Sequence, residues 1–170
     1  MNVRKASFLG VLLALALALH LLEGQVPSPL PWVRPGLANL VTLIAVLCVG
    51  WRAGMLVAVL RVTIGSLLLG GFLGPAFVLS LAGSVASTAA MALLARGAWR
   101  LWSPLGVSAA GAVAHGAAQL LVLRTLLLPA ADLSWLLPWV LAPALVAGVA
   151  TGLLANVILL RWQGYFQAVA

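Results

Sequence analysis

Residues 36–69 read GLANLVTLIAVLCVGWRAGMLVAVLRVTIGSLLL. Two apolar runs, 36–49 and 53–69, are separated only by Gly50, Trp51 and Arg52. Glycine ends helices, while tryptophan and arginine favour a membrane–water boundary, so the stretch predicts two helices turning back at a bilayer surface. About 20 mostly apolar residues cross a hydrocarbon core, and the first run is short for that. One charge, Arg61, interrupts the second run.

Outward from this hairpin the same pattern recurs. Apolar runs at 6–22, 75–95, 104–128 and 136–160 bring the expected helices to six. Pro35, Pro75, Pro104 and Pro138 lie at or near helix starts, where the missing amide costs least. Gly50, Gly70, Gly71 and Gly97 mark helix ends, and Pro143 falls inside the sixth run, where a kink is expected. No long linker or low-complexity tract interrupts the series. The expectation is an all-α, polytopic six-helix bundle forming a single transmembrane domain over residues 1–170. Arg4 and Lys5 before the first run also suit a signal peptide, but the remainder is equally hydrophobic, so an uncleaved first helix is expected.

Composition agrees. The 170 residues are 65% hydrophobic and 6% charged, whereas soluble domains carry roughly a quarter charged residues. The net charge of +7 forms no basic stripe, which argues against nucleic acid as a partner. Instead the cations sort by helix end. Arg4, Lys5, Arg52, Arg96, Arg100 and Arg161 fall at one set of ends. Arg34 and Arg124 fall at the other, beside the only acids, Glu23 and Asp132. The positive-inside bias places both termini in the cytoplasm. Trp32, Trp135 and Trp139 near one set of ends, and Trp51, Trp99, Trp102 and Trp162 near the other, fit two interfacial belts.

Polar residues within the runs are the candidates for function. Arg61 lies about nine residues into its run, roughly 13 Å deep at 1.5 Å per residue. An arginine at a helix centre costs about 2.5–3.5 kcal/mol on insertion scales. Two readings stand for it: a ligand contact, or a brace bonded to neighbouring helices. His115 and Gln119, four apart, share a helix face with Ser108 and Gly111. They suit either a polar ligand or interhelical bonding. Asn39 and Thr42 share a face near the start of the second helix, after Arg34 in a proline-rich connection. Ser80, Gly83, Ser84, Ser87 and Thr88 form a small-residue seam, as do Gly148, Thr151, Gly152 and Ala155, and both are expected to serve packing. Ala14 and Ala18 form a weaker patch of the same kind.

Several chemistries lack their residues. Two acids provide no acid–base pair or magnesium-diphosphate site, and no Gly-rich loop ends in Lys-Ser or Lys-Thr. Cys48 is the only cysteine, and the two histidines lie on different helices, so no metal site is expected. The expectation is a chain that is not an enzyme and carries no cofactor.

The blocks Asn39-Leu-Val-Thr42, Leu60-Arg61, Gly65-Ser66-Leu67, Gly70-Gly71-Phe72, Leu79-Ser80-Leu81-Ala82-Gly83, and Gly106-Val-Ser108 through Gln119 closely resemble the bacterial Gx transporter family, also called heptaprenyl diphosphate synthase component I. One departure stands out. The family commonly reads Ala-His-Asn-Ile-Gly-Gln where this chain has Ala114-His115 followed by Gly116-Ala117-Ala118-Gln119. A polar asparagine is lost, and substrate preference would shift if it touches ligand.

That family is similar to the substrate-binding S components of energy-coupling factor transporters. The resemblance implies six helices with both termini inside, and a small-molecule site near the outer face. It implies partnership with ATPase subunits and a coupling membrane subunit, partly through patches such as Ala14-x-x-x-Ala18. It also implies the bacterial inner membrane.

The functional expectation is therefore a membrane-embedded binding and transport subunit for a small polar or anionic molecule. Its candidate site residues are Arg34, Asn39, Arg61, His115 and Gln119. Arg124 lies about 180° around the helix from His115 and is expected at the interface. The alternatives are a non-catalytic membrane subunit of a prenyl diphosphate synthase, whose Asp-rich motifs are absent here, or a membrane assembly partner of a quinone or redox system.

Overall fold

The computed structural model describes residues 3–25, 36–97, 103–130, 132–162 and 164. Six α-helices follow in order: α1 (Val3–Gln25), α2 (Leu37–Cys48), α3 (Trp51–Leu68), α4 (Pro75–Gly97), α5 (Pro104–Val122) and α6 (Leu136–Arg161). A π-helical turn, Leu123–Leu127, extends α5. Local chemistry sets the boundaries. Ser103 caps α5 by accepting from the Gly106 amide at 3.4 Å, with Pro104 at the first helical position. The α2–α3 turn is made by Val49 and Gly50, and Gly50 at φ 120° holds a conformation that a side chain would strain. α6 is helical through Pro143.

Five of these helices are long and apolar enough to cross a membrane. Large apolar side chains such as Leu56, Leu93, Leu121, Val146 and Leu153 are exposed around the bundle, a surface suited to hydrocarbon and not to water. The chain is a multi-pass helical membrane bundle.

α2 is the shortest of the six, as its short apolar run leads one to expect. Its 12 residues reach only roughly 18 Å, well short of the hydrocarbon core. It is also the interior helix, with Ala38, Val41, Thr42, Leu43, Ile44, Ala45 and Val46 all buried. It contacts α1, α3, α4, α5 and α6. Around it α1 packs on α3, α3 on α4, α4 on α5 and α5 on α6.

The apolar core sits mainly at one end. Leu9, Leu12, Val41, Ile44, Ala53 and Val57 pack together where α1 begins and α2 turns into α3. Leu43, Val46, Met91, Val107 and Ala155 continue the core across α4, α5 and α6. Between α5 and α6 the backbones come very close: a Cβ placed on Gly152 would stand 2.5 Å from Leu105 Cα. Ser108 and Thr151 share a hydrogen bond of 2.9 Å across the same seam. The packing reading of the sixth-helix seam holds there. The middle of the bundle is different, because polar residues are buried there as well.

Candidate functional site: a buried polar hub

The hub is built on Arg61. Ten residues past the start of α3, it lies roughly 15 Å along the helix, too deep for its guanidinium to reach either surface easily. The side chain turns inward and is 3% exposed. Its Nη2 donates to Asn39 Oδ1 of α2 at 3.1 Å and to Ser84 Oγ of α4 at 3.0 Å. Hydrogen bonds from a charged donor contribute roughly 1.5–3 kcal/mol each, enough to offset much of the cost of placing arginine here. α2 and α4 answer in kind. Thr42, one turn beyond Asn39, is buried, and Thr88, one turn beyond Ser84, donates to the Ser84 carbonyl at 2.8 Å.

His115 approaches the same place from α5. Its ring lies on the backbone of Gly83, the residue preceding Ser84, where an added Cβ would stand 2.7 Å from Nε2. The groups that act on it electrostatically are Arg61 and His20. Its Nδ1 is buried without a hydrogen-bond partner among the described residues, and so is Ser87 Oγ one turn further along α4. Consecutive residues of α4 therefore bring Arg61 and His115 together.

α1 supplies the remaining side of the hub. His20 is buried against Gly65 of α3, one turn past Arg61, where an added Cβ would stand 3.1 Å from its Nε2. Glu23 is also buried, and its carboxylate accepts from the backbone amides of Leu37 and Ala38, the latter at 3.4 Å. An acid from one helix thus caps the N-terminus of another, where the helix dipole favours negative charge.

The expected site residues distribute as follows. Asn39 and Arg61 are bonded directly, and His115 joins them through α4. Gln119 is buried, 4% exposed, one turn beyond His115. Arg34 lies outside the described residues. Arg124 is exposed in the π-helical turn. Ala14 and Ala18 are exposed on α1 beside Val11, Leu15 and Leu22, on the face turned away from Ala16, His20 and Glu23.

Sequence reasoning missed three members. The small-residue seam points Ser84 to packing, whereas it accepts from the arginine. Glu23 stands in the sequence only as an acid at a helix end, and His20 only as a histidine too isolated to bind metal. The signal that finds them is spacing: Ala16, His20 and Glu23 lie at i, i+4 and i+7, one helix face.

An apolar groove of about 800 Å³ runs along α6, lined by Trp139, Pro143, Val146, Ala150 and Leu154, with Leu37 of α2 at its edge. Among the described residues no three His, Cys, Asp or Glu side chains gather to hold a metal.

Fold and hub define a class: a polytopic helical membrane protein with a charged, hydrogen-bonded site inside its helices. A family model described as heptaprenyl diphosphate synthase component I matches residues 12–158, and the chain belongs to that family. No curated protein and no solved structure matches the chain significantly.

Proposed function

We propose that the chain is the membrane-embedded binding subunit for a small polar or anionic molecule, held at the Arg61 hub, and that it works with partner subunits and not as an enzyme. The observation that carries this reading is the convergence on Gly83 and Ser84 of a buried guanidinium and a histidine. The histidine's Nδ1 still has hydrogen-bonding capacity. Intramembrane charges are costly and mark functional sites by default, and buried polar atoms are normally satisfied. A donor group on a bound molecule would satisfy Nδ1 of His115, and its acceptor oxygens would suit a site that holds a guanidinium. Asn39 and Ser84 orient the guanidinium, and Gln119 extends the site along α5. Arg34 is a further contact in this reading.

The exposed Ala14 and Ala18 face of α1 is the proposed contact for a coupling membrane subunit, which would link the chain to ATPase subunits. The charge sorting supports a bacterial inner-membrane protein with both termini cytoplasmic.

Mass spectrometry of small molecules retained by the purified chain tests the proposal. The expected result is a polar or anionic compound at near-stoichiometric occupancy, lost on His115→Ala. A chain that retains only bulk lipid contradicts it.

A second reading is favoured by the family description and by the α6 groove: a non-catalytic membrane subunit that handles isoprenoid for a prenyl diphosphate synthase. Chain elongation of allylic diphosphates by a separate catalytic subunit, dependent on adding this chain, would select it over the first.

A further inference from the structure

Arginine and tryptophan gather at the end of the bundle opposite both acids. Trp51 and Arg52 open α3, and Arg96 lies in the last turn of α4. The packing of α3 on α4 brings the Arg96 guanidinium carbon to 4.5 Å from the centre of the Trp51 ring, and the Arg52 carbon to 5.5 Å. All three side chains are exposed, Trp51 at 40%. Two like charges gathered on one exposed ring make a concentrated positive patch. The side chains of this sequence include just two acids, Glu23, buried at the N-terminus of α2, and Asp132, before α6. Both lie at the other end of the bundle. No acidic side chain therefore stands at this end to neutralise the pair.

We propose that Arg52 and Arg96, held on Trp51, bind the phosphate of an anionic phospholipid. Arginine forks match phosphate oxygens in pairs, and an exposed tryptophan ring sits at headgroup depth. What selects a lipid over a soluble anion is the surface beneath the charges. Leu56 lies four residues beyond Arg52 on α3, and Leu93 three residues before Arg96 on α4, so each shares a face with its arginine. Both leucines are exposed. Charge at the rim above an apolar wall matches a headgroup and its acyl chains.

Native mass spectrometry of the full chain in detergent, titrated with phosphatidylglycerol or phosphatidylcholine, tests the site. The expected result is preferential retention of phosphatidylglycerol that weakens as salt is raised, with phosphatidylcholine unaffected. Each arginine near an anionic surface is worth roughly fivefold in affinity, so Arg52→Gln with Arg96→Gln should weaken phosphatidylglycerol by roughly 30-fold. Arg124→Gln should leave it unchanged, and Arg52→Lys with Arg96→Lys should weaken it less than the glutamine pair does. Equal retention of the two lipids, salt-independent binding, or an unchanged double glutamine variant overturns the proposal. Displacement of the lipid by glycerol phosphate or polyglutamate at matched concentration also overturns it, in favour of a soluble anion or an acidic protein.

Discussion

At the α5–α6 junction, Gly148 and Gly152 let two backbones meet, and Ser108 and Thr151 share a hydrogen bond across it. At the α2–α3–α4 junction, Arg61 is bonded to Asn39 and Ser84, with His115 resting on Gly83 beside them. Both junctions are buried in the same apolar surroundings. Packing needs only the first arrangement, since small residues and self-satisfied hydroxyls give close helix contact cheaply. The second brings a charge into the bundle at considerable cost and leaves the histidine's Nδ1 with capacity to spare. The difference separates a seam that holds helices together from a hub that is poised to hold something else.

Substitutions should divide along the same line. Gly152→Val forces a side chain against the Leu105 backbone, which cannot move aside. Overpacking should cost about 3 kcal/mol, read as an earlier unfolding midpoint in detergent, with ligand affinity unchanged in the fraction that remains folded. Ser84→Ala removes one acceptor from the guanidinium and should cost about 2 kcal/mol of stability. Unlike the glycine change, it should also weaken ligand retention in fully folded protein. Equal effects of both variants on ligand would erase the distinction.

The hydroxyl pair provides a smaller contrast. A double-mutant cycle on Ser108→Ala and Thr151→Val should give a coupling of about 0.6 kcal/mol, typical of interhelical hydrogen bonds in membranes, and no change in ligand. The smallest effect is expected outside both junctions. Asp132 accepts from the Ser134 amide at 3.0 Å, and that bond, with the Ser134 side chain, holds its carboxyl below the usual carboxylate range. Its contribution is present above the unfolded carboxylate pKa of about 3.9 and is lost as pH falls through the lower folded value. Asp132→Asn should therefore flatten the acid limb of a melting-temperature profile slightly, and leave the profile at neutral pH unaltered in shape.

Much of this architecture is legible in the residues. Apolar runs punctuated by Gly50, Pro75 and Pro104 give the helices, because glycine and proline act through the backbone wherever they stand. Arg61 announces itself, being a charge where charges are expensive. What the sequence hides is rotation and depth. Lipid-facing and buried surfaces are both apolar, so nothing in LANLVTLIAVLC tells a central helix from a spanning one except its length. Ser84 sits in a run of small residues that would pack equally well facing elsewhere. Glu23 and His20 look like boundary residues because they end an apolar run; only the tertiary position of α2 turns the acid into a cap.

The account rests on Arg61 acting on a ligand and not only on its neighbours. Purified Arg61→Ala protein, compared with the parent for retained small molecule by mass spectrometry and for size by light scattering, measures this directly. The expected result is a monodisperse bundle that has lost its polar ligand. A monodisperse variant that keeps the ligand at parental occupancy, or one that simply aggregates, would show the arginine to be a brace alone.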